Sequence, residues 1–256
     1  MGFSNTHPSH QNANLCRYVL NYFCGVADVG IYSAASRMPA IIDTFRGIFI
    51  EAWQLSMITE FEKKDSNAFF NNIFRAYNVF MLLLTSCLIA FSKLLGSILY
   101  SKEFFIAWKY TPLLLLSVFF GSLVAFYSPI YLAHKKTNRL FISTLAGAIV
   151  TIICNLILVP LVGIQGAAIA SVISYFCIYL FMAIDSRKYI VISSDKFVFK
   201  ICYALLAAQA ILVSYEVVNP LGVISWMVVL AILLLNFKDV RDLGKRMLQV
   251  LKNRKK

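Results

Sequence analysis

An all-α integral membrane fold, a bundle of about seven transmembrane helices resembling one lobe of a two-lobe transporter, is the architecture this sequence predicts. Three observations predict it. Of its residues, 60% are hydrophobic and only 14% charged, whereas soluble domains sit near about 45–50% and about 25%. Apolar runs of about twenty residues recur along the chain, the length that crosses a bilayer core about 30 Å thick. Basic residues gather between alternate runs, as the positive-inside rule requires.

The elements follow in order. Met1 to Leu15 is polar and has no basic region followed by an apolar core, so it is not a signal peptide. Cys16 to Ala27 is apolar but short. It reads as the end of a helix that begins upstream, or as an interfacial piece. The first span is expected at Gly30 to Ile58 and is the least apolar. The others are expected at Ala76 to Tyr100, Tyr110 to Leu132, Leu140 to Val162, Ile164 to Ile184, Phe197 to Val217 and Leu221 to Phe237. This divides the chain into a polar segment at 1–15, a transmembrane lobe at 16–237 and a basic tail at 238–256.

The net charge is +12, with a mean hydropathy of +0.74. Lys63, Lys64 and Arg75 follow the first span. Lys135, Lys136 and Arg139 follow the third, and Arg187, Lys188 and Lys196 follow the fifth. The tail adds eight more, from Lys238 to Lys256. Intervening connections are poor in cations, except for Lys102 and Lys109. Charge spread in this way is not a nucleic-acid surface. It places the basic loops and the C-terminus in the cytoplasm and the N-terminal end outside. Three stretches read as interfacial: Phe69, Phe70, Ile73 and Phe74; Phe104, Phe105 and Trp108; and the tail, where Val240, Leu243, Met247, Val250 and Leu251 form one side of an amphipathic helix on an anionic leaflet.

The six cysteines and three histidines show no metal-ligand or disulfide spacing, and no catalytic motif or cofactor fingerprint is present. The first span is where charge meets membrane depth, carrying Arg37, Asp43, Arg46 and Glu51. Such residues are costly unless they face protein or water, so this helix is expected to line a polar cavity. Asp43 and Arg46 are three apart, and a competing reading has them neutralise one another. Arg37 has no local acid and suits an anionic ligand, because a guanidinium binds phosphate bidentately. Pro39 is expected to kink the span near Arg37, and Gly47 to soften it. Between the fourth and fifth spans, Pro160 and Gly163 fit a tight turn. Gly166, Ala167, Ala168, Ala170, Ser171 and Ser174 then give a small-residue stripe, for a sliding contact or for static close packing.

Several of these stretches resemble a family. GVADVGIYSAASRM (Gly25 to Met38), VPLVGIQGAAIA (Val159 to Ala170) and YLAHKKTNR (Tyr131 to Arg139) resemble motifs of the bacterial polysaccharide (O-antigen) flippases, within the multidrug/oligosaccharidyl-lipid/polysaccharide exporter superfamily. The second motif is the most specific. The family's Asp-Arg-Tyr entry reads Cys16-Arg17-Tyr18 here, without the acid. The resemblance implies the C-terminal lobe of a two-lobe transporter of the bacterial cytoplasmic membrane. It implies movement of a polyprenyl-pyrophosphate-linked oligosaccharide, with no cofactor and with Arg37 and Arg46 supplying charge. A truncated half of this kind is expected to need a separately encoded N-terminal half or a second copy. The competing expectations are a cation-coupled multidrug exporter and a membrane polysaccharide polymerase.

Overall fold

The computed structural model describes residues 8–60, 66–190, 197–217 and 222–237, with positions 219, 239 and 241. The described residues are predominantly helical and contain no strand. Helix α1 (Pro8–Cys24) is followed at Gly25 by α2 (Val26–Ala35), and after a turn by α3 (Pro39–Glu60). Next come α4 (Ser66–Ala90), α5 (Ser92–Leu99) and a 3-10 helix (Lys102–Lys109). Beyond these lie α6 (Thr111–Ala133), α7 (Thr137–Val162), α8 (Ile164–Asp185), a short 3-10 turn (Ser186–Lys188), α9 (Phe197–Ser214) and α10 (Val223–Leu235).

Five of these helices are long and apolar enough to cross a membrane: Phe69–Ala90, Thr111–Ala133, Thr137–Val162, Ile164–Lys188 and Phe197–Ser214. They point to a membrane protein. The expected third to sixth spans match four of them. The expected second span is displaced toward the N-terminus, because its helix already runs from Ser66 and ends at Ala90. The expected first and seventh spans are not among the five. The first is broken at 36–38, since Pro39 disfavours helical geometry at Met38 and itself opens α3. The seventh is a 13-residue helix, about 20 Å long at 1.5 Å per residue and short of a bilayer core. The segment expected to be polar to Leu15 is already helical from Pro8. Apart from positions 239 and 241 the tail lies outside the described residues, as do Lys63, Lys64 and Lys196.

Helix α6 is the centre. Over an 18-residue stretch 83% of it is buried, against 22% of α7. Its main neighbours are α3, α4, α8 and α9. Phe126 of α6 stacks on Trp53 of α3 with ring centroids 4.7 Å apart and meets Phe74 of α4 edge-on at 5.1 Å. Phe70 and Phe74 are fully buried in this aromatic core. Their expected interfacial role is therefore corrected: they face helix neighbours because α4 starts a full turn before them. Trp108 is also buried, over Gly96 of α5. Outward faces are apolar, as on α7, where Phe141, Leu145, Ile149, Ile153 and Leu156 are exposed.

The α7–α8 hairpin turns at Gly163 alone, with φ 61° and ψ −134°, a conformation only glycine adopts easily. Pro160 is not part of the turn. It lies in the last turn of α7, where its missing N–H leaves one carbonyl bond unmade without ending the helix. A Cβ at Gly166 would overlap the backbone carbonyl of Leu158, so the two helices touch backbone to backbone there. Ser174 donates to the Gly147 carbonyl at 2.8 Å and accepts from Thr151 at 2.7 Å. Here the small-residue stripe is close packing locked by hydrogen bonds.

Ion pairs mark the two ends of the bundle. At one end, buried Asp185 meets Lys188 at 2.9 Å and Arg139 at 3.9 Å. That joins two of the expected basic loops. At the other, Lys109 pairs with Glu216 at 3.1 Å.

These contacts make glycine substitutions unequal. Gly166→Ala forces the hairpin apart and is expected to lower stability by about 1–3 kcal/mol. Gly47 lies inside uninterrupted α3 with open space where a Cβ would go. Gly47→Ala is therefore expected to be neutral or to stabilise by up to about 1 kcal/mol. Thermal unfolding in detergent micelles, followed by circular dichroism, checks both.

Candidate functional site

The break between α2 and α3 creates the site. Ser36 donates to the Tyr32 carbonyl at 2.8 Å, and the Arg37 amide to that of Ala34 at 3.0 Å, closing α2. Pro39 starts α3 in a new direction, and the exposed Arg37 side chain stands at the corner. A cavity of about 300 Å3 opens beside it. Tyr32, Ser33, Ser36 and Arg37 form one wall, and Pro39, Ala40 and Asp43 a second. Leu114, Ser117 and Val118 of α6 and Ser171 and Tyr175 of α8 close the back. Arg17, from α1, completes the lining.

Arg17 was not foreseen as a site residue. Its Nε is buried without a hydrogen-bond partner. The sequence held one signal for it: Arg17 is the only charged residue between Met1 and Ala27. What brings it to the cavity is the packing of α1 on α7 and α8. There Asn155 donates to the Cys16 thiol at 3.4 Å, and the thiol lies 3.5 Å from the Ser171 hydroxyl.

The four charges expected to act together are separated. Asp43 and Arg46 form an ion pair at 2.9 Å. The Arg46 side chain is 6% exposed and lies over Gly121 of α6, where a Cβ would come within 3.6 Å of the guanidinium. Arg46 is thus turned into the bundle and is not among the residues lining this cavity. Asp43 is partly open and lines it. Glu51 is exposed two turns further along α3, about 12 Å from Asp43 at 1.5 Å per residue. Gly47 marks no bend, and Gly163 and Gly166 belong to the distant end of the α7–α8 hairpin.

Arg37 and Ser33 also line a second cavity of about 350 Å3, closed by Gly30, Ala34, Tyr100, Ser101 and Phe104. Arg37 therefore stands as a partition between two polar pockets. Burial pushes the Tyr100 phenol above its ordinary pKa. A hydrogen bond with Thr111 at 3.1 Å and the nearby Arg37 cation oppose that shift.

The arrangement can bind an anion. Two guanidiniums, four serines and two tyrosines line one space, and its one acid, Asp43, already holds Arg46. Among the described residues no three His, Cys, Asp or Glu side chains cluster as a metal ion would need. Comparison with protein-family models, curated proteins and solved structures finds no match. Fold and site together define a multi-helix membrane protein with a cationic cavity.

The Asp43–Arg46 pair sets a stability expectation. Asp43→Ala removes the carboxylate that pairs with a guanidinium turned into the bundle. Because about a third of the Asp43 side chain is open, the expected loss is about 1–3 kcal/mol rather than that of a fully buried pair. Asp43→Ala combined with Arg46→Met is expected to recover much of it. Unfolding midpoints of the three proteins in one detergent check this.

Proposed function

We propose that this chain takes part in moving a lipid-linked, polyprenyl-pyrophosphate oligosaccharide across the bacterial cytoplasmic membrane during surface polysaccharide synthesis. One observation carries the reading: Arg17 and Arg37 converge on a hydroxyl-lined cavity enclosed by apolar helices. A diphosphate needs cations in a wet pocket, and sugar hydroxyls suit Ser33, Ser36, Ser117 and Ser171. The polyprenyl tail stays in lipid. Of the motifs resembling the polysaccharide flippases, Gly25 to Met38 forms α2 and the Arg37 corner of this site, whereas Val159 to Ala170 forms the α7–α8 turn outside its lining. Two arginines against one paired acid favour an anionic cargo over the cationic drugs of a multidrug exporter.

Beyond the cavity along α3, Thr44, Ile48, Glu51 and Leu55 are exposed. A carboxylate at membrane depth is costly against lipid. A facing half, whether separately encoded or a second copy, covers this side in the working transporter, as sites between transporter repeats are covered.

Arg37→Ala and Arg17→Ala are each expected to weaken binding of polyprenyl diphosphate to the purified chain by about tenfold or more, the worth of a charge-assisted hydrogen bond. Arg187→Ala, far from the cavity, is expected to leave it unchanged. Affinities are measured by tryptophan fluorescence in detergent. Unchanged affinity in both cavity variants would overturn the reading.

A further inference from the structure

The second cavity, of about 350 Å3, adjoins the cationic one through Ser33 and Arg37, which line both. It lies between α2 and the 3-10 helix at Lys102–Lys109. Gly30, Ser33 and Ala34 share one face of α2, and Arg37 follows at its corner. Opposite stand Ser101 and Phe104. They are three residues apart, so they eclipse on one face of a 3-10 helix that Lys102 and Glu103 do not share.

Two aromatic rings line the pocket. Gly30 has no side chain, so the Phe104 ring rests on the α2 backbone, and a Cβ there would come within 3.2 Å of it. Phe104 still keeps 36% of its surface open. The Tyr100 hydroxyl is already used. Thr111 donates to the Ala107 carbonyl at 3.1 Å and so accepts from Tyr100 at 3.1 Å. Tyr100 therefore offers the pocket its ring. Ser101 caps the 3-10 helix with its carbonyl, which accepts from the Phe104 amide at 2.9 Å, while its hydroxyl makes no cap bond.

Ring surface, two serine hydroxyls and one guanidinium thus meet in one place, and among the described residues no acid lines it. A free phosphate has no use for ring surface, and a hydrocarbon chain has none for hydroxyls or a cation. A sugar ring uses all three. Its C–H face lies against aromatic carbon, and its hydroxyls exchange hydrogen bonds with serine and accept from arginine. The volume is at the small end of ligand pockets, about 300–1,000 Å3, and suits a monosaccharide rather than a whole oligosaccharide. Position selects which sugar. Arg37 divides this pocket from the cavity read as the diphosphate site, so the sugar bonded to the diphosphate is the one within reach.

We infer that the second cavity binds the first sugar of the lipid-linked cargo, a pyranose joined directly to the diphosphate, stacked on Phe104 and hydrogen-bonded by Ser33, Ser101 and Arg37. The inference rests on the cargo reading above. With diphosphate on one side and sugar on the other, Arg37 holds the junction between them.

Native mass spectrometry of the full chain in detergent micelles tests this. The chain is titrated with bare polyprenyl diphosphate and with polyprenyl diphosphate carrying one glucose, galactose or N-acetylglucosamine. At least one sugar-bearing lipid is expected to bind about tenfold or more tighter than the bare one, the worth of two neutral hydrogen bonds. Ser101 and Phe104 do not line the cationic cavity. Ser101→Ala with Phe104→Leu is therefore expected to cut the increment to about threefold or less and to leave the bare lipid's affinity unchanged. Equal affinity for the bare lipid and all three sugar-bearing lipids overturns the inference and leaves the cargo reading standing. So does an increment that survives the double variant, or a loss that falls equally on bare and sugar-bearing lipids. Bare lipid that does not bind, or that binds Arg37→Ala equally well, overturns the cargo reading and this inference with it. If the double variant loses its helical circular dichroism, Ser101→Ala alone decides, with an expected loss of about threefold to fivefold in the increment.

Discussion

The bundle depends on α6 being buried on nearly every side. A helix in that position cannot use lipid as a neighbour, so each of its faces must fit another helix. Two side-chain donors fix how its neighbours dock. The Trp53 indole of α3 donates to the Phe126 carbonyl at 3.0 Å, and the Tyr77 hydroxyl of α4 to the Ser122 carbonyl at 3.1 Å. These bonds lie in a dry aromatic core, where an unmade hydrogen bond is costly. They set the register of α3, and with it the position of everything nearer its N-terminus. Asp43, Arg46 and the Arg37 corner are therefore placed by contacts two to four turns away.

Within that register, charge is divided by depth of burial. Arg46 enters the bundle only because Gly121 leaves it room and Asp43 neutralises it. A buried ion pair is weak evidence for stability, since desolvation offsets much of its attraction. Its effect here is to leave Arg37 and Arg17 as the cations facing the open cavity. The break before Pro39 matters equally. A continuous helix through 36–38 would carry Arg37 along one axis with Asp43. The turn instead sets it between two pockets.

Polar groups also hold the periphery. Gln209 of α9 accepts from Ser86 of α4 at 2.7 Å and donates to Ser225 of α10 at 3.0 Å. This ties the short α10 to the bundle although it is less than a bilayer in length. Among transmembrane helices, where lipid competes equally for apolar surface, such bonds and close small-residue contacts decide which helices adjoin. The same logic separates the two faces of α8. Its Gly166–Ser174 side meets α7 and the cavity, while Phe176, Leu180 and Ile184 on its other side stay exposed.

Composition and run length determined the helical class, the third to sixth spans and the concentration of charge near Arg37. They did so because bilayer thickness and the cost of bare polar groups act on any sequence locally. The Asp43–Arg46 pair was legible too, since three residues on a helix are neighbours whatever surrounds them. Tertiary structure alone decided the rest. Arg17 reaches the cavity through the docking of α1 on α7, a contact between residues far apart in sequence. Phe70 and Phe74 read as interfacial by composition and are core by packing. Pro160 looked like the turn, but backbone contact at Gly166 let Gly163 make it alone. Among the described residues five of the expected spans stand as long apolar helices, and for the same reason: hydropathy measures how apolar a run is, whereas packing around Met38 and Phe91 decides where its helix stops.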